Sequence, residues 1–393
     1  MSMTNKKMAL KKSNSNKKVF FDRYIFQETI SITNFSTVCK CIDKKNNKVV
    51  IAKIIGDYES EYDPESIEHE NCYRKNLKHA KNEYVVLKKL QTIGHHKSDA
   101  SNNVASSTKT TDHDNEQIEQ HAELCGFPAL YGFEQKDACF YIFMQPFKMN
   151  FQQLFNKCNR FFSEETLYFI TCQMFDLIEK VHSCGYVHRD IKPSNMCLES
   201  MSIDEYSKKT GNSSFNKKKE VFSVSIIDFG LSKSFLQKNK THIHKTKQKG
   251  FTGNPKFASI NALKNLSPSR MDDIEAILYV ILYFSNSNCK LPWESSDNDK
   301  VDNDSILEKK YIFRAYIRDC LEDEIKLNIP NFLLEIFKIT FDPKYEQNFG
   351  IEPPYDQYYE VLGQYSNELS EGREFPIETL GDLKLSWEDI DLS

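Results

Sequence analysis

Nowhere in the 393 residues is there a long uncharged apolar run, so nothing reads as a bilayer-spanning helix. No C-x-x-C pair occurs among the 11 cysteines. That argues against structural zinc and for scattered, reduced thiols. Cys39 and Cys41, two apart, fall in an alternating strand pattern. A large charge of either sign is also missing: the formal net charge is -4, which gives no global drive toward nucleic acid or an anionic membrane. The opening Met1-Ser2-Met3 lacks both a signal-peptide core and the glycine that myristoylation needs. These absences lead to the expectation of a soluble cytoplasmic or nuclear protein, monomeric, with no membrane or direct nucleic-acid partner.

Aromatics are plentiful. The 28 Phe and 19 Tyr fall mostly within apolar runs, which favours a packed domain over a disordered chain. The length suits one two-lobed domain or two ordinary ones. Residues 1–19 read as a disordered basic arm. Short strands follow, over Tyr24–Ile32, Thr37–Ile42 and Val49–Ile55, with a turn at Asp43–Asn47. Glu83, Val86, Leu87 and Leu90 recur at helical spacing, so a helix is predicted over about 78–91. A strand pair at Leu130–Phe133 and Cys139–Met144 ends in a linker at Gln145-Pro146-Phe147.

Beyond the linker the periods lengthen. Helices are predicted at Phe151–Phe155, at Glu164–Cys184 with Ser163 as its N-cap, and at Met271–Phe284. Polar insertions are expected at about 57–76, 92–122 and 199–220. The Lys217-Lys218-Lys219 run in the last reads as a solvated loop, with a nuclear-import signal as the alternative. Strands first and helices second imply an α+β fold of two lobes: an N-terminal antiparallel sheet with one main helix, then a mostly helical part. A cleft between the lobes is the expected site. From about residue 363 the chain reads as a loose C-terminal extension, acidic at its end.

The chemistry sits in two segments. His188-Arg189-Asp190-Ile191-Lys192-Pro193-Ser194-Asn195 offers a carboxylate, an ammonium and an amide at i, i+2 and i+5. Asp228-Phe229-Gly230 adds a carboxylate after the apolar run Val224–Ile227. In this order, with Ala52-Lys53 on an upstream strand, they read as parts of a phosphoryl-transfer site using ATP and a divalent metal. Asp190 would orient or accept the substrate hydroxyl proton, and Lys192 would neutralise charge on the moving phosphoryl group. Asn195 and Asp228 offer the mixed oxygen ligands that suit Mg²⁺. Lys53 would meet the α/β-phosphates and be held by Glu83, with Glu68 and Glu70 as competing candidates.

These motifs resemble those of eukaryotic protein kinases. Thr252-Gly253-Asn254-Pro255-Lys256-Phe257-Ala258-Ser259-Ile260-Asn261, Ser269–Glu275 and Leu291-Pro292-Trp293 look like the casein kinase 1 group, with the vaccinia-related kinase branch as a less favoured placement. Thr241-His242-Ile243-His244 continues the likeness. The resemblance covers roughly residues 20–362. It implies an N-lobe at 20–144, a hinge at 145–147, a C-lobe at 148–362 and an extension at 363–393. Serine/threonine protein kinase activity with ATP and Mg²⁺ follows, on protein substrates that are acidic or already phosphorylated. In that likeness Met144 stands behind the adenine, Gln145 and Phe147 belong to the hinge, and Cys197 lies beneath the base. Asp273 would brace the catalytic loop. The lysines at 240, 245, 247 and 249 read either as a solvated face or as a surface for acidic or already phosphorylated substrates.

Two departures bear on activity. The phosphate loop of the family reads G-x-G-x-x-G-x-V, but Ser31-Ile32-Thr33-Asn34-Phe35-Ser36-Thr37-Val38 has none of the three glycines. Ser31, Thr33 and Ser36 are small, so weakened ATP binding is expected before complete loss. A pseudokinase that serves as a scaffold is the alternative. Asn254 replaces the group's usual Thr, whose hydroxyl would buttress Asp190 and Lys192.

Overall fold

The computed structural model describes residues 19–33, 36–56, 67–93, 126–136, 139–202, 220–286, 290–294, 302–319, 327, 329–370, 384–388 and 390. The expected arm at 1–19, except Val19, half of the expected insertion at 57–76 and the greater part of those at 92–122 and 199–220 lie outside the described residues. The architecture is bilobal α+β, with two compact units: residues 1–77 with 131–146, and residues 78–130 with 147–393. Among the described residues, no helix is long and apolar enough to cross a membrane.

The first unit is built on a six-stranded sheet. Its strands are β1 (Val19–Phe20), β2 (Tyr24–Ile32), β3 (Ser36–Asp43), β4 (Val49–Ile55), β5 (Leu130–Lys136) and β6 (Cys139–Met144), in the spatial order β1-β2-β3-β4-β6-β5. Period-two alternation divides its side chains between two faces. Cys39, Cys41, Val50, Ala52, Ile54, Tyr141 and Phe143 join one apolar cluster with Phe20 and Tyr24. Val38, Lys53 and Ile142 are cross-strand partners, as are Ile51 and Met144, so these five share the other face. Helix α1 (Ile67–Ile93) brings Tyr73 onto Phe140 of this unit, with ring centroids 5.7 Å apart. It starts well before residue 78, because the stretch from Ile67 contains no Gly or Pro to stop it. Half of the insertion expected at 57–76 is therefore helix.

The second unit holds α2 (Phe151–Lys157), α3 (Glu164–Ser183), α4 (Ile260–Leu263), α5 (Arg270–Ser285), α6 (Asn303–Arg318), α7 (Asn331–Thr340), α8 (Pro343–Gln347) and α9 (Tyr355–Ser370). It also carries β7 (Met149–Asn150), β8 (Tyr186–Val187), β9 (Met196–Ser202), β10 (Glu220–Ile226) and β11 (Lys233–Ser234). Strands β10, β9 and β7 form one small sheet, and β11 pairs with β8. Ser163 caps α3 by accepting the Thr166 N–H at 3.3 Å, as its residue type predicts. Helix α5 is buried continuously from Asp272 to Phe284, the pattern of a helix enclosed on all sides.

The C-terminal stretch is not wholly a loose extension. Trp387 is fully buried with its ring against Phe151, Phe162, Phe169 and Phe222, because burying an indole outweighs the polarity of its acidic neighbours. Ser386 fixes the approach: its N–H donates to Thr166 Oγ1 at 2.8 Å, and its hydroxyl accepts the Ser163 N–H at 2.8 Å.

Candidate active site

The loop between β8 and β9 turns sharply at Arg189, a non-glycine residue held at φ 72°. Such a conformation persists only where the surroundings over-determine it. Here they do. Asp273, near the start of α5, accepts the His188 N–H at 2.7 Å on Oδ2 and the Arg189 N–H at 2.9 Å on Oδ1. His182 of α3 completes the brace, with Nε2 at 3.0 Å from Asp273 Oδ2 and Nδ1 against the Tyr355 hydroxyl of α9. Burial drives the His182 pKa down, which keeps the ring neutral. The tautomer that fits both partners carries its proton on Nε2 and accepts from Tyr355. Burial alone would raise the Asp273 pKa. The bonds from His182 and from the loop amide of Arg189 hold it below the ordinary carboxylate value.

On this brace, Asp190, Lys192 and Asn195 converge. Lys192 Nζ lies 2.6 Å from Asp190 Oδ2. Asn195 Nδ2 donates to the same oxygen at 3.0 Å and to the Asp190 carbonyl at 2.9 Å. Pro193 favours the single 3₁₀ turn Pro193–Asn195 that brings the amide back over the carboxylate. The other oxygen, Asp190 Oδ1, is buried and has no hydrogen-bond partner among the described residues. A buried carboxylate oxygen left unpaired is costly, and its presence marks a place where a donor belongs. Asp190 itself belongs to the lining of a cavity, together with Ile191, Asn254, Phe257, Ala258 and Leu266.

Gly253 stands against this loop at φ +110°, and a Cβ there would come within 2.7 Å of the Arg189 carbonyl oxygen. Only glycine allows that approach. Asn254 does not take over the buttressing of Asp190 and Lys192. Its Oδ1 accepts the Lys256 N–H at 2.9 Å, since an Asn side chain closes a local turn more readily than it reaches a distant group.

Asp228 follows β10 with left-handed backbone angles, φ 68° and ψ 70°. The Ile227 N–H donates to the Asn195 carbonyl at 3.0 Å, and His188 Nε2 lies 3.1 Å from the Ile227 carbonyl. These bonds tie the approach to Asp228 to the Asp190 loop. Asp228 Oδ1 and Glu83 Oε2 both flank Gly230, at 3.4 and 3.6 Å from where a Cβ would stand. Glu83 is buried on α1. One turn face away, Asn82 Nδ2 donates to the carbonyls of Phe229, Gly230 and Ser232 at 3.0, 3.3 and 2.6 Å. Asn82, His182 and Tyr355 carry no sequence signal, because each acts on residues remote in the chain. The side chains of Glu68 and Glu70 lie outside the described residues.

In the first unit, Ser31 lies on β2, Ser36 and Val38 on β3, Lys53 on β4 and Met144 on β6, while Thr33 follows β2 and Gln145 follows β6. Val38, Lys53 and Met144 share one sheet face. Ala52 does not share it: alternation turns its methyl into the opposite apolar cluster, and Ile51 has the position two before Lys53. The phosphate loop is closed by hydroxyls. Thr33 N–H donates to the Ser36 carbonyl at 2.9 Å, and Thr33 Oγ1 accepts the Ser36 N–H at 3.0 Å. Neither Ser31, Thr33 nor Ser36 has a positive φ. Asn34 and Phe35, at the tip, lie outside the described residues.

In the second unit, Phe147 begins the chain after the linker, and Cys197 is buried on β9 opposite Ser225. Burial pushes its thiol up to about 12, so it is a packing group and not a nucleophile. Among the described residues, no group of three or more His, Cys, Asp or Glu is placed to hold a metal ion. Asn195 and Asp228 supply one amide oxygen and one carboxylate. That donor set suits Mg²⁺ accompanied by phosphates better than a metal caged by protein alone.

Residues 75–333 match the protein kinase domain family. The match covers more than half of the chain, and the chain belongs to the protein kinase family. The matched span contains Glu83, Asp190, Lys192, Asn195 and Asp228, and begins after Lys53 and the loop at 31–38.

Proposed function

We propose that the protein is a serine/threonine kinase of the casein kinase 1 kind, moving the γ-phosphoryl group of ATP to a protein hydroxyl. The observation that carries this reading is Asp190 in the lining of a cavity, with one carboxylate oxygen held by Lys192 and Asn195 and the other, Oδ1, buried and unpaired among the described residues. A substrate hydroxyl donating to Oδ1 would satisfy that oxygen and be oriented for attack. Lys192 brings positive charge beside the same carboxylate, where the transferring group gathers negative charge. Bound Mg²⁺–ATP supplies the phosphoryl group and its charge neutralisation, with Asn195 and Asp228 as metal ligands and Lys53 and Glu83 serving the phosphates. Met144, Gln145, Phe147 and Cys197 are assigned to the base.

Lys238, Lys240, Lys245, Lys247 and Lys249 are exposed along one segment. Their charge favours acidic or already phosphorylated protein substrates. The segment Thr252–Asn261 and the residues Leu291-Pro292-Trp293 support the casein kinase 1 placement. The test is transfer of radiolabelled phosphate from ATP to casein, with and without Mg²⁺. Asp190→Asn should lower the rate by about 10²–10⁴-fold. Transfer that persists in D190N removes the assignment. No transfer by the unaltered protein favours the scaffold reading, to which the glycine-free loop lends weight.

A further inference from the structure

Lys310 lies on α6 where the helix turns its apolar side inward, among Ile306, Phe313 and Ile317. It is fully buried. An ammonium in such a place must have every donor occupied. Its three hydrogens meet three carbonyls of one short segment: Pro255 at 3.1 Å, Lys256 at 3.2 Å and Ala258 at 2.5 Å. Its charge also sits over two aromatic faces, 4.4 Å from the Tyr279 centroid and 4.6 Å from that of Trp293. Trp293 adds its own bond, Nε1 to the Lys256 carbonyl at 2.7 Å. The gripped segment is the one that contributes Asn254, Phe257 and Ala258 to the cavity containing Asp190.

We propose that Lys310 is a positioning residue for substrate: its charged ammonium fixes the 255–258 backbone and so shapes the wall beside Asp190 against which the substrate peptide lies. This rests on the kinase reading. A neutral amine has two hydrogens for three carbonyls and no charge to attract their dipoles, so the wall loosens when the proton leaves. The groups that face Lys310 are Glu275 and the Tyr279 hydroxyl on α5, and Arg314 on its own helix. Asp272 of α5 lies beside the segment's far end, and Lys256, paired with Glu294 at 2.8 Å, lies within it. Glu275 is itself engaged, accepting from Arg314 at 2.8 Å and from Tyr279 at 2.5 Å. Burial pulls the Lys310 pKa down to about 7, with Glu275 opposing it.

A lysine whose folded pKa is lowered binds its proton less tightly than in the unfolded chain. Between about 7 and the ordinary value of 10.5, stability therefore rises with pH. Peptide binding runs the opposite way, weakening as the ammonium is lost.

The experiment measures peptide KM and ATP KM separately from about pH 6 to pH 8.5 for the unaltered protein, Lys310→Met and Lys310→Arg. Hydrogen exchange of residues 252–261, corrected for intrinsic rate, is followed over the same range. Peptide KM of the unaltered protein should rise several-fold with pH while ATP KM stays level and the thermal midpoint does not fall. K310M should have a peptide KM about tenfold higher at the acid end, with no further rise. K310R, charged throughout, should show a flat profile, and its 252–261 amides should not gain exchange with pH. A K310M protein with unaltered peptide KM and pH profile overturns the proposal. So does faster exchange with pH that persists in K310R. If the unaltered protein transfers no phosphate, the kinase reading fails, and the exchange data still decide whether Lys310 holds the segment.

Discussion

Asp272 and Asp273 are neighbours in sequence, both buried, and their carboxyl groups shift in opposite directions. Burial pushes Asp272 up to about 6, against bonds from Ser269, Ser259 and Asn261, and the Glu275 charge adds to the rise. Asp273 is held below the ordinary value in spite of its burial, by His182 and by the Arg189 amide. A folded-state pKa that is lowered contributes stability above the unfolded value of 3.8, lost as pH falls through the folded one. For Asp272 the folded state favours the protonated form, so its contribution is present below 3.8 and lost as pH rises to about 6. Asp273→Asn should therefore destabilise by about 3–5 kcal/mol at neutral pH, as the loss of several hydrogen bonds to one buried carboxylate does. Asp272→Asn should cost less than half of that and flatten the stability curve between pH 4 and 6. Urea unfolding across pH checks both, and equal costs at neutral pH would contradict the assignment.

Among the elements, the hairpin from β2 to β3 departs furthest from the family. Glycines would let the backbone approach phosphate, whereas here Thr33 and Ser36 close the turn through their hydroxyls and carry side chains where none are expected. Replacing Ser31, Thr33 and Ser36 together by Gly should lower the ATP KM several-fold by opening that approach. Steady-state kinetics with ATP varied is the measurement, and an unchanged KM would show that the hydroxyl closure already serves. Helix α3 was legible because a 3.6-residue period survives in sequence when one face is buried, and α5 because its apolar run is longer than a strand. The early start of α1 was not, since a polar helix leaves no such stripe. Nor was the face taken by Ala52 until pairing with β3 and β6 established which residues of β4 look the same way.

At the scale of the molecule, the family match ends at residue 333, but the core of the second unit does not. Tyr355, Tyr358, Leu362, Tyr365, Leu385 and Trp387 all belong to the same apolar cluster as α3 and α5. Trp387→Ala should accordingly destabilise this unit by about 3–5 kcal/mol through the cavity it leaves. Denaturant unfolding with retained slope checks this, and a change under about 1 kcal/mol would mean the segment merely rests on the surface. The convergence of Asp190, Lys192 and Asn195, the candidate catalytic set, was legible in sequence, since three groups within six residues need only one turn to meet. Sequence by itself also determined the order of strands and helices, through periods and apolar runs. Tertiary structure alone decided that His182 and Tyr355 join Asp273 in one brace, that Lys310 grips the 255–258 carbonyls, and that Trp387 enters the core. Their partners lie tens to hundreds of residues away, and no local pattern records which distant groups a folded chain will bring within hydrogen-bond reach.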